Sequence, residues 1–263
     1  MTATTTTTPA VHARRPGLRA GLRMIQAEAR MITRDPANVI IPLAVPVLLL
    51  VMNGLSLENP DEEIRPGVTV LDFHTVPVVL ALVVTMIAVM NFPGYLATYR
   101  KSKVLRRLAV TPASPAMVLV AQTVVSFLQM LFGIAIALGI AIQFFDAALP
   151  SDVLVAVLVL LALCLAMYSV GMIVASVAPT PNAAVAIGLV GFFGMAALGG
   201  MFGPMENLPE RLAEVGSWLP FGAAVEAFQS TWMGESVAWE NWASIGVTTV
   251  FGVAVASALF RWE

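Results

Sequence analysis

Cysteine and histidine are nearly missing from this chain. With one cysteine, Cys164, and two histidines, His12 and His74, no metal-ligand set at the usual spacings can be assembled. No intrachain disulfide is possible, and Cys164, inside an apolar run, reads as an inert core thiol. Charge is scarce too. Only 11% of the 263 residues are Asp, Glu, Lys or Arg, against about 25% in an ordinary soluble domain. With 59% hydrophobic residues and a mean hydropathy of +0.87, there is too little polar surface to cover a soluble globule. No GxxxxGK[ST] run occurs, so the chain lacks the usual phosphate cradle for ATP. The apolar segments hold no nucleophile–base pair and no carboxylate pair, which excludes the common hydrolytic chemistries there.

What the chain has in abundance is long uncharged runs. A helix needs about 20 apolar residues to cross a bilayer. Uncharged stretches and their punctuation predict an all-α polytopic membrane protein with six spans, at about 36–57, 73–98, 116–145, 153–177, 183–203 and 241–260. Pro179 and Pro181 in "APTPNA" divide the fourth span from the fifth. Residues 204–236 contain three prolines and Glu226 and are too polar to cross; a re-entrant helical hairpin on the outer side is expected. The Thr-rich tail, 1–16, is expected to be disordered.

Charge distribution sets an orientation. With both termini in the cytoplasm, Arg14, Arg15, Arg19, Arg23, Arg30, Arg34, Arg100, Lys101, Lys103, Arg106, Arg107 and Arg261 all fall inside, leaving only Arg65 and Arg211 outside. The positive-inside rule is obeyed. A multi-pass protein of the plasma (inner) membrane is therefore expected.

Two basic segments invite interpretation. Over 17–35, apolar Leu22, Ile25, Ala29 and Ile32 recur at helical spacing beside Arg19, Arg23, Arg30 and Arg34, which predicts an amphipathic helix lying in the inner interface. In "YRKSKVLRRLAVTP", Val104, Leu105 and Leu108 share one side while Arg100, Lys103 and Arg107 share another, with Lys101 and Arg106 adding to the charge. "TPASP" then stops the helix before the third span. Topogenic charge is the ordinary account of a basic loop, but a rigid amphipathic helix at a loop tip is a docking surface that tethering does not require. For the N-terminal helix a lipid-binding anchor accounts for the segment at least as well.

The order of these parts resembles the permease subunit of type-2 ABC exporters, and "YRKSKVLRRLAVTPASPAMVLVAQ" and "GPMENLPERLAEVGSWLPFGAAVEAF" are most similar to the daunorubicin and multidrug-resistance permeases of actinobacteria. The resemblance covers nearly the whole chain after about Gly17. It implies that two copies pair as a homodimer, that separate ABC ATPase subunits carry ATP and Mg, and that this chain binds no cofactor itself. It also implies that the cytoplasmic helix at about 99–111 docks on the ATPase, with the interfacial helix sharing that contact. Many members carry Glu-Gly-Thr in the cytoplasmic helix; "SKVLRR" stands here instead.

For a transport path the polar residues of the spans are the candidates. Gln122, Ser126 and Gln129, continued by Gly133 and Ala137, form a stripe on one helix face, and Asn91 precedes Pro93 in the second span. Helix packing explains such a stripe as readily as substrate contact. Phe192 and Phe193 offer an apolar wall. The absence of ionisable residues deep in the spans argues against a proton- or sodium-driven carrier and for an apolar or amphipathic substrate, drug or lipid-like. The competing reading is a membrane anchor that docks a cytoplasmic partner without transporting anything. Membrane lipid is an expected contact, and no nucleic-acid partner is expected.

Overall fold

The computed structural model describes residues 17–57, 62–102 and 115–259. The fold is all-α. In chain order the helices are α1 (Leu18–Thr33), α2 (Pro36–Ser56), α3 (Leu71–Lys101), α4 (Pro115–Phe145), α5 (Val153–Val177), α6 (Pro181–Leu198), α7 (Glu210–Trp218), α8 (Pro220–Met233) and α9 (Trp239–Leu259). Six of them, α2 to α6 and α9, are long and apolar enough to cross a membrane. The chain is a multi-pass membrane protein.

Local sequence explains the ends of these helices. Asp152 caps α5 by accepting from the Val155 backbone N–H, and Thr180 caps α6 by accepting from Ala183. Pro181 opens α6 at a position where its missing N–H costs nothing. The fifth span therefore begins two residues earlier than its composition suggests. It ends at Leu198, where the chain leaves the helix through Gly200 and Gly203, both at positive φ. Tyr99, Arg100 and Lys101, read from the sequence as opening the basic cytoplasmic helix, instead continue the helix of the second span. A two-stranded hairpin, Glu63–Arg65 with Val68–Thr69, was not legible beforehand; it turns at Gly67, whose φ of +79° suits glycine.

The second span is the central post. In α3, 83% of the most apolar window is buried, against 22–39% for the other five spans. Every residue from Val76 to Val89 is buried. Between Met86 and Asn91 the helix widens to i→i+5 hydrogen bonding, and the Phe92 N–H reaches Ile87. Pro93 follows and removes the N–H that Val89 would ordinarily receive. Two glycines grip this widened turn: the Ala88 carbonyl lies against Gly171 of α5, and the Val89 carbonyl against Gly188 of α6. A methyl group at either glycine would collide with a backbone oxygen, which cannot swing aside as a side chain can.

A polar latch fixes the N-terminal end of α3. The buried Asp72 carboxylate accepts from the Thr69 N–H at 2.9 Å, the Thr69 hydroxyl at 2.8 Å and the Ala148 N–H at 2.9 Å. The Trp232 indole donates to the Ala148 carbonyl at 2.8 Å, and the Ser151 hydroxyl to the Trp232 carbonyl at 2.9 Å. Arg65, in the hairpin, donates to the Met233 carbonyl. These bonds join the start of α3, the α4–α5 turn and the end of α8. With 14 residues, α8 spans only about 21 Å of the roughly 30 Å of hydrocarbon. It is nonetheless deeply packed, with Phe221, Phe228 and Trp232 all fully buried. The expected hairpin is thus α7 and α8, meeting at Leu219–Pro220.

Gly188→Ala is expected to destabilise the fold by about 1–3 kcal/mol, seen as a lower temperature for loss of the monodisperse species in detergent. Gly191→Ala, where no other described residue lies within 4 Å of the added carbon, is the control and is expected to leave that temperature unchanged or slightly raised.

Candidate functional site

The C-terminal ends of α1 and α3 and the N-terminal ends of α2 and α6 enclose a cavity of about 410 Å³. Its wall is more polar than the spans around it: Arg34, Asp35, Asn38, Asn91, Tyr95, Thr98 and Asn182 all contribute. Asn38 organises this vestibule. Pro42 sits four residues further along α2 and has no N–H, so the Asn38 carbonyl lacks its usual helical donor. Two side-chain amides take that place: Asn91 Nδ2 from α3 at 2.6 Å and Gln129 Nε2 from α4 at 2.9 Å. In a bilayer, where water cannot serve, a proline-broken helix is tolerated when neighbours satisfy the freed carbonyl in this way. The Asn38 amide in turn donates to Asp35 at 2.6 Å.

The candidate path residues therefore have different surroundings. Asn91 lines the vestibule and also ties α3 to α2. Gln129 is buried and ties α4 to the same carbonyl. Ser126 is buried and donates to Gln122 O of its own helix at 2.7 Å. Gln122 is fully buried, and among the described residues neither its amide nitrogen nor its oxygen has a hydrogen-bond partner. Phe192 is buried in the core, whereas Phe193 is exposed, with its ring edge-on to Phe192 at 5.1 Å. Tyr95 was not singled out from the sequence. It lines the vestibule, is 8% exposed, and its buried hydroxyl has no partner among the described residues.

A second arrangement lies just beside the vestibule, where α3 ends. Tyr99 donates its hydroxyl to Glu28 of α1, and Arg100 Nη1 donates to the Ala175 carbonyl of α5 at 2.6 Å. The guanidinium thereby meets the negative end of α5. Consecutive residues of one helix thus fasten two different elements. Arg100, read as an ATPase contact, is placed in this joint; Lys101 is exposed. Lys103, Val104, Leu105, Arg106, Arg107 and Leu108 lie outside the described residues. Arg19, Arg23, Arg30 and Arg34 are exposed along α1, as are Leu18 and Leu22. Glu28 escaped the sequence reading although a signal existed: it is an acid at i+3 from Ile25 and i−4 from Ile32, on the apolar side of a basic helix.

Two measurements test these arrangements. Gln129→Leu is expected to cost roughly 0.6–1.7 kcal/mol, the range for hydrogen bonds between membrane helices. In a Pro42→Ala background the restored backbone donor takes the Asn38 carbonyl, and the penalty is expected to shrink; a double-mutant cycle of unfolding free energies reads this coupling. For the joint, burial pushes the Glu28 carboxyl above its ordinary value of 4.5, with the Tyr99 hydroxyl offsetting part of the rise. A carboxyl whose pKa is higher folded than unfolded stabilises the fold most below 4.5. That contribution is lost as pH rises through the raised value. Glu28→Gln keeps an acceptor for Tyr99 and removes the titration. Its stability relative to wild type is expected to improve as pH rises through that interval, measured by thermal unfolding in detergent.

Comparison with known proteins adds identity to this geometry. A family model described as ABC-2 family transporter protein matches residues 52–261. That stretch runs from the end of α2 through α9 and holds the widened turn, the joint residues of α3 and the buried stripe of α4. No curated protein matches the chain. The matched region covers well over half of the sequence, and the chain belongs to the ABC-2 transporter family: it is the non-catalytic membrane permease component of an ABC transport system.

Proposed function

We propose that this permease is one half of an ATP-driven exporter, paired with a second copy of itself and served by two separate ATPase subunits that carry ATP and Mg. In this reading it sits in the plasma membrane with both termini in the cytoplasm. It moves a lipophilic or amphipathic compound outward, as in the drug-export permeases of actinobacteria that its sequence resembles. The observation that carries the reading is the joint at the inner end of α3. Residues 103–114 connect α3 to α4, and the residues just before them, Tyr99 and Arg100, are tied to α1 and α5. A displacement applied to Tyr99 and Arg100 reaches α1, α3 and α5 together.

The vestibule supplies the other half of the reading. It lies at the inner end, between α2 and α6, and both helices leave large apolar side chains exposed: Ile40, Leu48 and Met52 on one, Val185, Val190 and Phe193 on the other. A second copy facing these helices would close the path laterally, with Asn91, Tyr95 and Phe193 toward the substrate. A polar entry beneath an apolar wall suits an amphipathic compound. ATP binding can drive opening only through differing affinity for the inward and outward arrangements.

The test is reversal of charge at two positions that the proposal gives to the ATPase. Arg106→Glu with Arg107→Glu is expected to abolish co-purification of the ATPase while membrane insertion persists, because the remaining inside cations still set topology. Retention of the ATPase at wild-type strength would overturn the docking assignment. An intact complex whose ATP turnover ignores lipophilic compounds, and which moves none of them in vesicles, would instead favour a docking anchor without transport.

A further inference from the structure

The seam between α4 and α5 holds a feature that transport does not use. These helices are consecutive in the chain, yet they do not lie side by side. α5 packs along α9, while α4 packs on α1, α2 and α3. One contact between them, the Cys164 thiol to the Met130 thioether at 3.3 Å, sits near mid-span. Below it the helices part, and a cleft of about 610 Å³ opens between α4, α5 and α9. A neighbouring cleft of about 420 Å³ continues it toward mid-span, sharing Thr123, Val124, Leu165 and Tyr168 with the first. The floor is the edge-to-face pair of Phe92 and Tyr168, centroids 5.2 Å apart.

We propose that this cleft binds one acyl chain of a membrane phospholipid, drawn sideways from the leaflet that surrounds the N-terminal end of α4. Its position and chemistry both point to that occupant. The cleft lies on the perimeter of the spans, where exposed Val120, Leu165 and Val253 face the hydrocarbon. Being open at that perimeter, the cleft is filled by what surrounds the spans, and its wall is too apolar to hold ordered water. From Val120 to Leu128 it follows α4 for about 12 Å, most of the roughly 15 Å of one leaflet.

The hydroxyls of the wall select a chain over a polar ligand. Thr123 donates to Leu119 O, Thr249 to Ile245 O and Ser257 to Val253 O, each within its own helix, and Ser169 donates to Ala166 O. The Tyr168 hydroxyl has no partner among the described residues, but it is sealed beneath the surface. No accessible hydroxyl of the wall therefore has a proton to offer a polar head. The inference rests on the six-span architecture and stands or falls independently of transport.

Photolabelling tests it. The full-length protein is reconstituted in phosphatidylcholine vesicles containing a phosphatidylcholine with a diazirine midway along one chain, irradiated, digested and mapped. Adducts on the α4 segment from Val120 to Leu128 and the α5 segment from Leu161 to Met172 are expected in severalfold excess over those at Val247 and Val250 of α9, which are exposed and lie outside the cleft. Leu165→Trp, which fills the cleft from an exposed position, is expected to remove the excess and leave the α9 adducts unchanged. Equal labelling of the two regions would overturn the proposal. So would efficient disulfide-linked dimers of V120C in a C164A background, which would put a second copy of the chain in the cleft.

Discussion

One backbone oxygen ties three helices of this permease together. Pro42 strips the Asn38 carbonyl of its helical donor, and amides from the second and third spans converge on it. Such a vacancy is costly in hydrocarbon, where an unpaired polar group has no water to turn to. Its repair explains why three helices meet at this level and why polar side chains occur in otherwise apolar spans. A defect in one helix thus becomes the register mark for two others.

The second span gains its central place from what happens above and below that node. At its N-terminal end the Asp72 carboxylate gathers three donors, two of them from the Thr69 turn and one from beyond the third span. At its C-terminal end Tyr99 and Arg100 reach to either side. Between them the widened turn leans its carbonyls on Gly171 and Gly188. Close backbone contact across small residues is a common way to bind helices where the hydrophobic effect gives no preference between lipid and protein. α3 is accordingly held at three heights, by different chemistry at each.

Much of this was legible in the sequence. Uncharged runs bounded by prolines and acids delimit the spans, because a bilayer imposes a length that few other environments require. The hairpin of α7 and α8 could be read from its prolines and its shortness. The polar stripe of α4 was visible as a pattern, but its partner was not, since Asn38 is separated from Gln129 by 91 residues. A clue did exist in the spacing of Asn38 and Pro42, which marks a carbonyl in want of a donor. Asp72 was less accessible: nothing local distinguishes it from the acids of the turns between spans, and its burial depends on the Ala148 N–H arriving from elsewhere. The widened turn likewise comes from tertiary fit, since Pro93 alone is compatible with several kinks.

The length of α4 has a mechanical corollary. At 31 residues it is about 46 Å long, well beyond the roughly 30 Å of hydrocarbon it crosses. Its C-terminal end runs into the turn clamped by Asp72 and Trp232, and α1 packs along its N-terminal part. The helix is a rod longer than the layer it crosses, braced at both ends by different elements. A load on α1 and a load on the segment entering α4 would be delivered to the same rod.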